Sequence, residues 1–109
     1  MAVVRGGCVF RNDGDGCLSS KYVNENSEPF VEACWLPTGS RTQDPFVGTF
    51  DTVWLETDGS GAVNHVDGEL TIIRGTSSYT LEWMVNNQLI YKGVGMIYHE
   101  LLVCGYWSV

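Results

Sequence analysis

The chain has 109 residues and a hydrophobic share of 44%, with no apolar run long enough to span a membrane, so we expect one domain, residues 1–109, with its own core. The net charge is −7 and the six Lys and Arg residues are scattered along the chain, so the sequence indicates no basic surface. This argues against nucleic acid or an anionic membrane as partners. Because the chain does not start with a basic segment and a long apolar stretch, we expect no signal peptide and a cytoplasmic protein.

The N-terminal part, residues 1–45, is predicted to contain two strands and one helix. The segments "AVVRGGCVFR" and "CLSSKYV" are strand-like and flank a tight "NDGDG" turn. A short helix is expected near 28–36, since Pro29 suits its first turn, and a loop is expected over residues 38–45. The apolar residues of that helix would share one face: Phe30, Val31, Cys34 and Trp35.

Residues 46–109 alternate between apolar and polar residues as an antiparallel meander does. Five strand-like segments follow one another: "FVGTFDTVWLE", "AVNHVDGELTIIR", "YTLEWMV", "LIYKGVGM" and "LLVCGYW". The second is expected to bend or bulge at Asp67-Gly68. We therefore predict an all-β, mainly antiparallel fold in which the meander curls into a barrel or half-barrel of about six to eight strands, with the one short helix beside it.

The loop after "YTLEWMV" decides which residues face the interior. A two-residue turn at Asn86-Asn87 would place Leu81 opposite Lys92 and mix apolar with charged residues. A three-residue loop over 86–88 keeps the apolar residues on one face, so we prefer it. The pairs it predicts are Trp83 with Tyr91, Leu81 with Gly93 and Tyr79 with Gly95.

Gly93 and Gly95 then face inward, opposite large side chains. Their missing side chains either allow close packing at a sharply coiled corner of the barrel or leave a gap for a ligand. The aromatic rings around them offer stacking surface and hydroxyl groups. The candidate ligand-binding residues are Tyr79, Trp83, Tyr91, Gly93, Gly95 and Tyr106.

The last predicted strand is apolar on both faces. A strand of this kind is usually covered on both sides, here either by the N-terminal segment or by a second copy of the protein. The candidate interface residues on the outward face of the last two strands are Val94, Met96, Leu101, Val103 and Trp107.

No pattern of catalytic or metal-binding residues is evident. The cysteines lack C-x-x-C spacing, and neither His65 nor His99 has ligand spacing, so we expect no metal and no cofactor. No nucleophile elbow, phosphate-binding loop or clear pair of carboxylates occurs, which favours a protein that is not an enzyme. In a reducing compartment the cysteines would be buried thiols, and in an exported protein they could form two disulfides. They are Cys8, Cys17, Cys34 and Cys104.

Three motifs occur in order between Tyr79 and Tyr106: "YTLEW", "YKGVG" and "LLVCGY". They resemble the pattern Y-x-L-x-W, Y-x-G-x-G and L-x-V-G-Y/W of small bacterial calycin-like β-barrel domains, which are largely of unknown function. The chain departs from that pattern at 86–88 and at Tyr98-His99, where an Asp-Gly turn is usual. The resemblance implies a barrel and, for calycins as a class, the binding of small apolar molecules inside it.

Two functions follow as expectations. The first is a non-catalytic binding module for a small apolar or aromatic molecule held by the inward-facing aromatic residues. The alternative is an acidic interaction protein, either a homodimer or an inhibitor of a basic protein partner, because the chain is acidic and has an outward apolar face.

Overall fold

The strands form one closed antiparallel barrel in the computed structural model, which describes residues 3–37, 43–57 and 59–109. Each strand pairs with the next along the chain, and the last pairs with the first. The predicted all-β antiparallel barrel is therefore confirmed, and the N-terminal strands belong to it. The strands are β1 (Arg5–Gly14), β2 (Cys17–Asn24), β3 (Ser27–Trp35), β4 (Gly48–Thr57), β5 (Val63–Arg74), β6 (Tyr79–Val85), β7 (Gln88–Tyr98) and β8 (Leu101–Ser108).

Alternate residues of the strands point inward and fill the end of the barrel at which β1 ends and β8 begins, which we call the closed end. Burying an aliphatic or phenyl side chain of this size stabilises the fold by about 1.5–3 kcal/mol. The most completely buried apolar side chains are Phe10, Leu18, Phe50, Leu70, Ile72, Leu81 and Leu102.

The described part of the loop between β3 and β4 packs over the closed end. Phe46 is buried there, and its backbone N–H donates to Asp44 Oδ1 at 2.9 Å. Asp44 Oδ2 in turn accepts a hydrogen bond of 2.6 Å from the Tyr79 hydroxyl and lies 3.4 Å from Arg74 Nη1. Residues 38–42 of the predicted 38–45 loop lie outside the described residues.

The helix predicted near 28–36 is wrong, because this segment is strand β3. Its neighbours β2 and β4 supply the ladder partners. Glu32 points into the barrel, on the same face as the apolar residues two positions before and two positions after it. The helical interpretation placed Val31 and Trp35 in the core, where they are instead 47% and 41% exposed. Pro29 lies at a bulge opposite Val23, where its missing N–H breaks no regular ladder bond.

The turn between β6 and β7 combines the two loops considered from the sequence. Asn86 and Asn87 form a two-residue turn, both with positive φ (51° and 64°), so the predicted three-residue loop is wrong. A register shift after Trp83 leaves Ile90 as an extra residue in β7 and moves the pairing by one place. The predicted pairs are confirmed: Trp83 with Tyr91, Leu81 with Gly93 and Tyr79 with Gly95.

The bulge expected at Asp67-Gly68 is not formed. The β4–β5 ladder continues without a register shift through Thr52–Gly68 and Val53–Asp67. A Cβ on Gly68 would lie 2.5 Å from the carbonyl oxygen of Met84, so this glycine allows β6 to approach β5 closely.

Candidate functional site

A pocket with a volume of about 250 Å³ occupies the opposite end of the barrel, where β1 begins and β8 ends. We call this the open end. The turn between β2 and β3 contributes Asn26 to its lining, and the end of β4 contributes Glu56 and Thr57. The walls of the pocket consist mainly of aromatic side chains, together with one cysteine and one acid. These residues are Tyr22, Trp54, Trp83, Tyr91, Tyr106, Cys8 and Glu32.

The aromatic side chains form a continuous wall. The rings of Tyr91 and Tyr106 are perpendicular, with centroids 5.6 Å apart, and Trp83 lies 6.0 Å from Tyr106. Trp54 meets Tyr91 edge to face at 6.4 Å, and Tyr22 meets Tyr106 in the same way at 6.3 Å. These contacts hold the rings in fixed orientations and present both faces and edges to the pocket.

Glu32 is a buried acid in the pocket lining, only 5% exposed. Its Oε2 accepts a hydrogen bond of 2.5 Å from Thr52 Oγ1 on β4 and one of 2.9 Å from Trp83 Nε1, which reaches across the barrel from β6. The Cys34 thiol is a further hydrogen-bond partner of this carboxyl group. Among the described residues no Lys, Arg or His forms an ion pair with it. The described partners of the Glu32 carboxyl are therefore neutral groups, and no cation compensates its charge.

Burial raises the pKa of the Glu32 carboxyl to about 7, against the hydrogen bonds from Thr52 and Trp83, which favour the charged form. The Cys34 thiol lies 3.3 Å from Thr52 Oγ1, and its hydrogen bond with the carboxyl also favours the charged form. A carboxyl that titrates near neutral pH within a cavity is typical of a functional site.

The phenol groups of the pocket stay protonated at neutral pH. Burial raises the pKa of Tyr106 to about 12, and it also raises the pKa of Tyr22 and Tyr91. The Tyr22 hydroxyl donates to the backbone carbonyl of Leu55, and Asn24 Nδ2 donates to the Tyr106 hydroxyl at 3.1 Å. These bonds fix two of the three rings.

The ladder between β3 and β4 ends at Glu32–Trp54 on the side of the pocket. It contains four residue pairs, compared with ten between β4 and β5. Beyond Glu32, the hydrogen bond from Tyr22 to Leu55 connects β2 directly with β4. Glu32 thus lies at the last rung of a short ladder, where the wall of the barrel becomes part of the pocket.

The charges of the pocket are all negative. Glu56 is exposed at the mouth, where its Oε2 accepts a hydrogen bond of 3.2 Å from Trp54 Nε1. With Glu32 it gives two carboxyl groups, and none of the described lining residues is Lys, Arg or His. The pocket therefore combines aromatic surface with negative potential.

Three of the six predicted binding residues line this pocket: Trp83, Tyr91 and Tyr106. Tyr79 lies instead at the closed end, where its hydroxyl donates a hydrogen bond to Asp44. Gly93 and Gly95 lie outside the lining, and neighbouring side chains already occupy the space that their own side chains would fill. A Cβ on Gly93 would lie 3.2 Å from Trp83 Cζ3, and one on Gly95 would lie 2.7 Å from Cys104 Sγ.

The sequence prediction missed Glu32, Trp54 and Tyr22. Alternation in β4 places Trp54 on the same inward face as Phe50, and this signal was available. Tyr22 shares its face with the buried Leu18 in the same way. Glu32 had no comparable signal, because a lone carboxylate in a short apolar segment is usually solvated.

The predicted interface residues form an exposed apolar patch on the outside of β7 and β8. Val94 and Met96 are 44% and 59% exposed, and Val103 and Trp107 are 37% and 39% exposed, while Leu101 is half-buried. Met96 and Val103 are direct cross-strand partners. Strand β1 lies beside β8 in the sheet, so the N-terminal strand does not cover this patch.

No family model, curated protein or solved structure matches this chain. Across residues 3–37, 43–57 and 59–109, no group of three His, Cys, Asp or Glu side chains is arranged to hold a metal ion. The same ranges contain no helix long and apolar enough to cross a membrane.

Proposed function

We propose that this protein is a non-catalytic binding protein whose open-end pocket holds a small ligand with an aromatic ring. The observation that carries the proposal is the contact network of Trp54, Tyr91, Tyr106 and Trp83 around a pocket that is already formed. Ligand pockets combine apolar and aromatic walls with a few fixed polar groups, and Glu32 is such a group.

The volume of the pocket limits the size of the ligand. A cavity of roughly 150 Å³ accepts benzene, so a pocket of about 250 Å³ accommodates about ten non-hydrogen atoms. One ring with a short substituent fits this limit, whereas a long acyl chain exceeds it.

A titration with neutral 2-phenylethanol, followed by tryptophan fluorescence, tests the proposal because Trp54 and Trp83 line the pocket. Replacing Tyr91 with Ala removes one wall and should weaken binding about tenfold, in line with the roughly 1–2 kcal/mol of an aromatic contact. Tyr98→Ala is the matched control, because Tyr98 lies at the other end of the same strand and is exposed. Equal affinities of the two variants would argue against the pocket.

A second proposal is self-association through the exposed patch of β7 and β8. It is supported by the contiguous pair Met96 and Val103, which no strand of the described chain covers. An apolar surface of this kind on a sheet is typical of a contact between protein copies.

Sedimentation of the purified protein tests this second proposal. If the patch pairs two copies, the wild type is a dimer and Val103→Arg is a folded monomer. Val31→Arg is the control, since Val31 is an exposed apolar residue on β3, three strands away from β8 around the barrel, and its replacement should leave the dimer intact. A monomeric wild type at high concentration contradicts the proposal.

A further inference from the structure

The aromatic wall of the pocket and the negative charges of its described lining residues specify a class of ligand. We propose that the pocket binds a positively charged aromatic amine, with its ammonium group against Glu32 and its ring among the pocket tyrosines and tryptophans. This inference rests on the proposed binding function and names the chemistry of the ligand.

The Glu32 carboxyl is buried without a positively charged partner among the described residues. Its hydrogen-bond partners are the neutral side chains of Thr52, Trp83 and Cys34. A 95% buried carboxylate with no cation beside it lacks the partner that normally compensates its lost hydration. An ammonium group supplies the missing positive charge together with strong N–H donors.

The aromatic wall of the pocket also favours a cation. Cations bind favourably over the faces of Trp and Tyr rings, and several rings around one position form a cage for an ammonium group. Trp83 both lines the pocket and donates to Glu32, so the carboxylate and the aromatic surface are adjacent. A cation placed there can interact with both.

The described pocket lining carries no positive charge. A carboxylate or phosphate ligand would meet Glu32 and Glu56 without any compensating Lys, Arg or His, and this disfavours anions. A neutral ligand would leave the charge of Glu32 unmatched. A cation is the one charge class that both carboxyl groups favour.

Binding of a cation is expected to depend on pH through Glu32, which must be ionised to pair with it. The titratable groups that interact with Glu32 come from the surrounding strands: Cys8, Tyr22, Cys34 and Tyr106. The pKa of each of these groups is raised, so all four stay neutral between pH 5 and 8. Since Glu32 has a pKa of about 7, an amine should bind about tenfold more weakly at pH 6 than at pH 8.

Calorimetric titrations with three probes of similar size test the inference: 2-phenylethylamine, 2-phenylethanol and phenylacetate. At pH 8 we expect the amine to bind at least tenfold more tightly than the alcohol, and the anion to bind weakest. Glu32→Gln keeps an oxygen that can accept from Thr52 and Trp83 but replaces the charge, so it should abolish both the preference for the amine and the pH dependence. Glu82→Gln removes one charge from the exposed outer face of β6 and should change neither.

The possible results separate the two proposals. If the alcohol binds as tightly as the amine, or the anion binds best, the pocket is a binding site but the inference about charge is wrong. If none of the three probes binds, both proposals are wrong. If the amine is preferred equally by the wild type and by Glu32→Gln, the ammonium group is not held by Glu32 and the inference fails.

Discussion

The indole nitrogen of Trp83 donates a hydrogen bond of 2.9 Å to the Glu32 carboxylate across the interior of the barrel, linking β6 to β3. The two residues are 51 positions apart in the chain. This bond places the Glu32 carboxyl group beside the aromatic wall of the pocket. Because burial raises the pKa of Glu32, the stability of the barrel depends on the protonation of this side chain.

Glu32→Gln should remove that dependence. The folded pKa of about 7 lies above the ordinary value of 4.5, so the neutral carboxyl favours folding at low pH, and this contribution is lost as the pH rises from 4.5 through 7. We expect the difference in unfolding free energy between wild type and variant to change by about 2–3 kcal/mol between pH 5 and pH 8, in favour of the variant at pH 8. Urea denaturation at both pH values measures it.

The comparison between the two pH values matters more than either value alone, because all other titrating groups are shared by the two proteins. Glu82→Gln, on the exposed outer face of β6, serves as the control for loss of one charge. For Glu82→Gln, we expect the difference in unfolding free energy from wild type to be the same at pH 5 and pH 8. If Glu32→Gln also shows the same difference at both pH values, Glu32 is not a buried acid in the folded protein.

The inward glycines of β7 are expected to be required for packing. A Cβ on Gly95 would lie 2.7 Å from Cys104 Sγ and 2.9 Å from the Val103 carbonyl oxygen, so Gly95→Ala should destabilise the protein by about 1–3 kcal/mol. Gly105→Ala is the matched control on β8, because its nearest contact would be 3.9 Å away, and we expect a change within about 0.5 kcal/mol. Urea denaturation of both variants distinguishes the sites, and equal effects would contradict this account.

The inward face of residues 46–109 could be predicted from the sequence because it depends on local alternation. Leu81 and Trp83 share a face in β6, and the requirement to bury that face sets their partners in β7. The same reasoning placed Tyr91 and Tyr106 inside the barrel, where they line the pocket. It could not show that the space beside Gly95 is filled, since Cys104 comes from the next strand.

Glu32 could not be predicted in this way, because its burial depends on donors that are distant in the chain. Thr52 follows it by 20 positions and Trp83 by 51. The short segment around it fits helical and strand periodicity equally well, and only the ladders with β2 and β4 decide between them. The interpretation as a helix therefore did not place Glu32 in the interior of the barrel, where it lines the pocket.

The thiols should differ sharply in reactivity. All four cysteines are free, and Cys17 is exposed while Cys8, Cys34 and Cys104 are buried. The hydrogen bond with Cys104 and burial raise the pKa of Cys8, and burial raises the pKa of Cys34, which keeps both as unreactive thiols. We expect one fast-reacting thiol in the native protein with an aromatic disulfide reagent at pH 8, and four after unfolding.

Cys17→Ser is the control for this prediction and should leave no fast-reacting thiol in the native protein. Fewer than four reactive thiols in the unfolded protein without reductant would indicate a disulfide and contradict the arrangement of free cysteines.

The backbone of the turn between β7 and β8 is expected to be strained. His99 and Glu100 both have positive φ, 49° and 67°, a conformation that costs a residue with a side chain about 1 kcal/mol and glycine almost nothing. Glu100→Gly should therefore stabilise the protein by about 1 kcal/mol and raise its melting temperature by about 4 °C. Asn87→Gly is the control, because Asn87 has a similar φ of 64° but asparagine tolerates it, so the gain should be clearly smaller. Equal shifts in the two thermal unfolding curves, or a loss of stability in Glu100→Gly, would show that the turn at Glu100 is not strained.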